Sequence, residues 1–162
     1  MDDLYPPYKI LFVCLGNICR SPAAEGVLKR IVEEKGDAAN WVIDSAGMGS
    51  WHLGSLPDRR MRVHARERGL ELDHRCRQVC ADDFREFDLI IGMDHSNLSD
   101  LHDVCPDPEL AHKIVPMAGF FNPDNRWDHV PDPYYEGSEG FELVLDLLEE
   151  GCENLYNKIK RK

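Results

Sequence analysis

Four apolar residues, Ile10–Val13, run without a break into Cys14-Leu-Gly-Asn-Ile-Cys-Arg20-Ser21-Pro22. A short run that is apolar throughout reads as a strand buried on both faces. Pro22 suits the first turn of a helix, and Ala24, Val27, Leu28 and Ile31 follow at i, i+3, i+4 and i+7, which predicts a helix over 22–35. Cys14 therefore stands at a strand's carboxyl end, with only a tight loop between it and a helix N-terminus. A chain that begins in this way is committed to a βα unit.

The rest of the sequence repeats the alternation. Trp41–Ile43, Leu89–Ile91 and Ile114–Val115 are further short apolar runs, and helical patterns cover 57–68, 95–103 and about 138–158. The segment 57–68 is rich in Arg and ends at Gly69, whereas the last helix carries Phe141, Val144, Leu145, Leu148, Cys152, Leu155 and Ile159 near the helical period. Strand and helix in turn predict an α/β fold: one domain over 1–162, a three-layer sandwich with a central four-stranded parallel sheet and helices on both faces. Ligands of such sheets bind beyond the carboxyl ends of the strands, which is where Cys14 stands.

Five residues separate Cys14 from Arg20. In a loop of that length the backbone N–H groups of Leu15, Gly16, Asn17, Ile18 and Cys19 can turn inward around one tetrahedral anion. Gly16 and Asn17 suit the positive φ angles such a turn needs, and the helix N-terminus adds donors and partial positive charge. The planar fork of Arg20 can grip two anion oxygens, which Lys could not do. The field that holds an anion also favours a thiolate, so Cys14 is expected to be nucleophilic at neutral pH, with the Ser21 hydroxyl donating to its sulfur. An isolated Cys and Arg at this spacing would be ordinary; the strand, loop and helix around them make the arrangement functional.

Charge limits the partners. Nineteen Lys and Arg against thirty Asp and Glu leave a net charge of −11, which excludes nucleic acid and membrane surfaces as natural ligands. It says nothing against a single phosphate in a local pocket, although very acidic phosphopeptides should be disfavoured at low salt. The acidic start MDDLYPPYK lacks the features of a secretory signal, so the six cysteines are read as reduced thiols of a cytoplasmic protein. His74, Cys76 and Cys80 match no common zinc spacing, and no metal or cofactor is expected.

With these residues in view, the sequence resembles the low-molecular-weight protein tyrosine phosphatases over essentially its whole length. The phosphate loop, Asp132-Pro133-Tyr134-Tyr135, Asp44-Ser45-Ala46 and Met93-Asp94-His95-Ser96-Asn97-Leu98 all match family segments in order. Classical tyrosine phosphatases share only the Cys and Arg spacing and usually carry His where this chain has Val13. The resemblance implies hydrolysis of phosphotyrosine in protein substrates through a phosphocysteine on Cys14. Arg20 and the loop would stabilise the equatorial oxygens, and Asp132 would serve as general acid and then base. On local sequence alone Asp132 reads as a turn residue. The resemblance further implies that Trp51, Tyr134 and Tyr135 wall an aryl slot, and that Asn17, Ser21, Ser45 and His74 brace the loop. Asp94 reads as the cap of the following helix, with orientation of Arg20 as its other role. Cys19 reads as a small apolar filler; the resemblance implies a reversible disulfide with Cys14 under peroxide. A monomer or weak dimer is expected.

Two alternatives on the same scaffold remain open. A thioredoxin-coupled arsenate reductase would need a relay pair such as Cys76 and Cys80, but their spacing is narrower than that family's. A protein-arginine phosphatase usually carries Thr where this chain has Ile18.

Overall fold

A computed structural model describes residues 4–134 and 136–161. Four strands, β1 (Tyr8–Cys14), β2 (Trp41–Gly47), β3 (Leu89–Gly92) and β4 (Ile114–Pro116), form one parallel sheet in the order β2-β1-β3-β4. Among the described residues five α-helices surround it: α1 (Arg20–Glu34), α2 (Arg59–Glu67), α3 (Ala81–Glu86), α4 (His95–Val104) and α5 (Ser138–Lys160). The predicted α/β sandwich is thus present. No helix among the described residues is long and apolar enough to cross a membrane.

The period of two along β1 builds both halves of the core. Ile10, Phe12 and Cys14 face a cluster with Val27 and Leu28 of α1, Met61 of α2 and Leu145 and Leu148 of α5. Leu11 and Val13 face the other side, against Phe84 of α3, Leu101 of α4 and Ile90 of β3. β1 is central, with β2 on one side and β3 on the other, so the crossovers from β1 diverge and open a crevice at its carboxyl end. Cys14 is the last residue of β1, on the α1 side.

Three expectations are corrected. The first helix begins at Arg20 rather than Pro22, which puts Pro22 at the third helical position, still inside the turn whose N–H groups lack helical partners. The second strand extends four residues past Ile43, through Asp44 and Ser45, because their polar side chains meet partners at the sheet's end. The short α3 was not anticipated, since Phe84 and Asp83 alone are buried in it.

One buried carboxylate ties the sheet edge to the end of α5. Asp37 Oδ2 accepts from Trp41 Nε1 at 2.8 Å, Tyr156 Oη at 3.1 Å and Lys160 Nζ at 3.1 Å, while Oδ1 accepts from Asn40 Nδ2 at 2.6 Å. The Asn40 and Trp41 donors hold its carboxyl well below the usual carboxylate range, against the opposing effect of burial. A carboxyl depressed by folding stabilises the protein above its unfolded value of about 4, and that contribution disappears as pH falls toward the folded value. Asp37→Ala should therefore lower the urea-unfolding free energy by about 3 kcal/mol at pH 7. Below about pH 4 the gap between variant and wild type should narrow; a gap that stays constant with pH would contradict this account.

Candidate active site

The loop after β1 is held from outside by its carbonyls. Cys14 O accepts from Met48 N at 2.9 Å, Leu15 O from Gly49 N at 2.9 Å, Asn17 O from Cys76 Sγ at 2.7 Å and Ile18 O from Asp58 N at 2.7 Å. With these oxygens turned outward, none of the backbone N–H groups of Leu15–Cys19 has an acceptor among the described residues. A ring of such donors beside the start of α1 is a cradle for an anion. Asn17 alone in the loop takes positive φ, at 58°; Gly16 does not, so its expected conformational role falls away. Gly47 at the end of β2 is needed instead, because a Cβ there would lie 2.9 Å from Asn17 N and 3.0 Å from Leu15 O.

The left-handed Asn17 is locked through every hydrogen-bonding position of its side chain. Nδ2 donates to Ser21 Oγ at 2.8 Å and Ser45 Oγ at 3.0 Å. Oδ1 accepts from Arg77 N at 3.0 Å and faces His74 Nε2 at 2.9 Å, which must donate because Oδ1 cannot. His74 Nδ1 in turn lies 3.2 Å from Glu25 Oε1, and Glu25 also accepts from Ser45 Oγ at 2.7 Å. Asn17 is expected both in the anion cradle and as a brace of the loop; its wholly buried side chain acts on the loop's shape, and its N–H belongs to the cradle. Ser21 Oγ, already receiving the Asn17 N–H, stands 3.0 Å from Cys14 Sγ and can give its own hydrogen to the sulfur.

Arg20 is 2 % exposed, and its position is fixed by two acceptors, Asp94 Oδ2 at 2.6 Å and Val130 O at 3.0 Å, both from Nη1. The two readings of Asp94 are reconciled, since its other oxygen accepts from Asn97 N at 2.8 Å and caps α4. Burial works against the charge on Asp94, yet the Arg20 guanidinium and the Asn97 amide hold its carboxyl below the usual range. Nη2 of Arg20 lies 3.7 Å from Asp132 Oδ2. Oδ1 of Asp132 is occupied by the N–H of Tyr134 at 3.0 Å, which leaves Oδ2 directed to the arginine.

Cys14, Arg20 and Asp132 line a single cavity of about 230 Å³ with Leu15, Gly16, Ile18 and Cys19 at its base. Trp51, 69 % exposed, and Tyr134 form its walls. Arg60 stacks on the Tyr134 ring at 5.3 Å and pairs with Asp58 at 3.0 Å. Tyr135 lies outside the described residues. Burial keeps the Cys19 thiol protonated, and burial beside the Cys14 sulfur pushes Cys76 up to about 11. Glu25, Asp44 and His74 bring ligand atoms within 4.8 Å of one another, but Lys29 and Arg77 already neutralise the two carboxylates, a poor setting for a metal ion.

Comparison with known proteins identifies this arrangement. Residues 9–162 match the family model described as low molecular weight phosphotyrosine protein phosphatase. The chain belongs to that family. A crystal structure of a protein tyrosine phosphatase from Entamoeba histolytica, with Hepes in its active site, is 44% identical and superposes with a TM-score of 0.91, covering 94% of this chain and 97% of that one. The low molecular weight phosphotyrosine protein phosphatase of Schizosaccharomyces pombe is 42% identical over 93% of this chain and 96% of its own. A Drosophila protein described as an arginine phosphatase is 34% identical, with a TM-score of 0.88 over 95% of this chain and 99% of that one.

Besides Met48, Gly49, Asp58, Cys76 and Arg77, which anchor the loop of this low molecular weight phosphatase, four contributors stand outside the residues singled out from sequence. His52 lines the cavity beside Gly16, whose Cβ would stand 3.2 Å from its ring. Its place next to Trp51 was the available signal. Glu25 is a buried charge inside the apolar pattern of α1, and such a break is itself a clue to function. Gly47 and the carbonyl of Val130 carry no local signal, because their roles depend on which segments the fold brings together.

Proposed function

We infer that the chain hydrolyses phosphotyrosine in protein substrates through a covalent phosphocysteine. The reading is carried by one observation: the unpaired N–H groups of the loop, Cys14 Sγ, Arg20 and Asp132 all converge on a single cavity walled by aromatic rings. The phosphoryl group sits in the cradle, with its equatorial oxygens on the loop amides and Arg20. Cys14 Sγ attacks phosphorus, and the bond to the tyrosyl oxygen breaks as Asp132 delivers a proton to that oxygen. Water then attacks phosphorus, Asp132 takes its proton, and the S–P bond breaks with the electron pair returning to sulfur. The Ser21 hydroxyl, 3.0 Å away, supports the thiolate as leaving group. Asp94 and Val130 hold Arg20, and the Asn17 network holds the loop, so little reorganisation is needed when charge develops.

Specificity for an aryl ester rests on Trp51 and Tyr134, whose faces take a flat ring at the depth of the phosphate. The arginine phosphatase among the relatives makes phosphoarginine the competing substrate. Phosphotyrosine peptides should be turned over at least about tenfold more efficiently than matched phosphoserine or phosphoarginine peptides, and Trp51→Ala should lower kcat/KM for the phosphotyrosine peptide about tenfold. Equal or faster turnover of phosphoarginine would move the protein to the other substrate class.

A further inference from the structure

Asp132 is a wall shared by two cavities. Behind the catalytic one lies a groove of about 250 Å³, lined by Asp132 together with Trp127, Glu136, Glu139, Gly140 and Leu143 among others. Its surface is mostly apolar, while Glu136 just ahead of α5 and Glu139 in its first turn are both exposed acids. Among the described residues neither carboxylate has a hydrogen-bond or ion-pair partner, in contrast to Glu142 one turn on, which is engaged by Arg68 and His64. The groove also depends on a glycine. A Cβ on Gly140 would fall 2.5 Å from Glu136 Cβ, so a side chain there would displace Glu136. Trp127 is pinned by its N–H to Asn125 Oδ1 at 2.9 Å and keeps its ring 38 % exposed.

We propose that this groove is a subsite for a Lys or Arg side chain next to the phosphotyrosine of a substrate peptide. The proposal rests on the phosphotyrosine reading of the catalytic cavity and adds the sequence context of the substrate. A long basic side chain lays its methylenes on the apolar floor and its charge between two carboxylates, with the indole of Trp127 as a further attractive face. A purely apolar side chain would desolvate Glu136 and Glu139 and leave them unpaired, and an acidic one would be repelled. Because a single side chain divides the cavities, the occupant belongs within about two residues of the phosphotyrosine, each spanning about 3.4 Å. On the α2 side the same cation meets Arg60, stacked on the Tyr134 wall, so the preference is tied to position.

Position is what separates the groove from the overall field. A net charge of −11 favours a cation anywhere on the peptide, whereas the groove favours it at one place. The experiment uses neutral phosphotyrosine peptides in which Lys replaces Ala at each of three positions on either side of the phosphotyrosine. In the wild type, one or two adjacent positions should raise kcat/KM about fivefold over the remaining positions, mostly through KM. In the double variant Glu136→Gln, Glu139→Gln, the ratio of that peptide to the all-Ala peptide should fall to the level of the other positions; a ratio cancels any general loss of activity. A flat profile in the wild type, or a peak that survives the double substitution, overturns the subsite while leaving phosphotyrosine turnover intact. Absence of turnover on every phosphotyrosine peptide would overturn the reading of the catalytic cavity itself, and the subsite with it.

Discussion

Cys14→Ser should reduce hydrolysis of para-nitrophenyl phosphate by at least about 10⁴-fold, a loss of about 5 kcal/mol in transition-state stabilisation. The substitution is nearly isosteric at a position only 3 % exposed, so the loop has no reason to move. What changes is the attacking atom. A serine hydroxyl needs a base to remove its proton, and the only hydrogen-bond partner of the Cys14 sulfur among the described residues is the Ser21 hydroxyl, which is no base. The anion cradle is untouched, because its donors are backbone N–H groups and Arg20. Binding of inorganic phosphate, read by calorimetry, should therefore persist within a few-fold in a catalytically dead protein. Activity within tenfold of wild type would remove Cys14 from the chemistry; loss of phosphate binding would show instead that the sulfur shapes the loop.

The parts of this molecule that were legible beforehand are those in which local sequence and final surroundings agree. Ile10–Val13 is apolar on alternate residues in both directions because both faces of β1 are covered, and the last helix repeats its apolar stripe for about five turns, from Phe141 to Ile159, in the cluster it shares with α1 and β1. The second strand was recognised only as far as Ile43. Beyond it, Asp44 and Ser45 are strand residues that serve Arg77, Asn17 and Glu25, so they break the apolar pattern at the point where the strand reaches the site. The first helix was placed two residues late for a similar reason. Arg20 opens it as a buried cation whose partners come from β3–α4 and from Val130, far away in sequence. Pro22 was read as the start because it fits a first turn, and it does lie in one. The catalytic Cys and Arg could be found because their loop is contiguous. The residues that hold that loop come from four segments, α1, 45–49, Asp58 and 74–77, and only the fold unites them.

Asp132→Asn should lower kcat/KM for a phosphotyrosine peptide by about 10²- to 10³-fold, and much less for para-nitrophenyl phosphate. The difference follows from the leaving group. A tyrosyl oxygen departs as a strong base, with an ordinary pKa of about 10, and needs its proton in the transition state; para-nitrophenol is a more acidic phenol and needs it less. Asp132 is suited to deliver that proton by Oδ2, because Oδ1 is taken by the Tyr134 N–H in a turn that Pro133 stiffens. Asn keeps the turn, since its carbonyl can accept the same N–H, but carries no acidic proton. It also removes a negative charge 3.7 Å from Arg20 Nη2, so the product phosphate should bind as tightly as before or tighter. The expected signature is thus a fall in kcat/KM, which reports the step in which the phenol leaves, that grows with the basicity of the leaving phenol, with an unchanged or lower inhibition constant for phosphate. A uniform loss of kcat/KM across a series of aryl phosphates would mean that Asp132 positions Arg20 or the substrate and does not deliver the proton to the phenol.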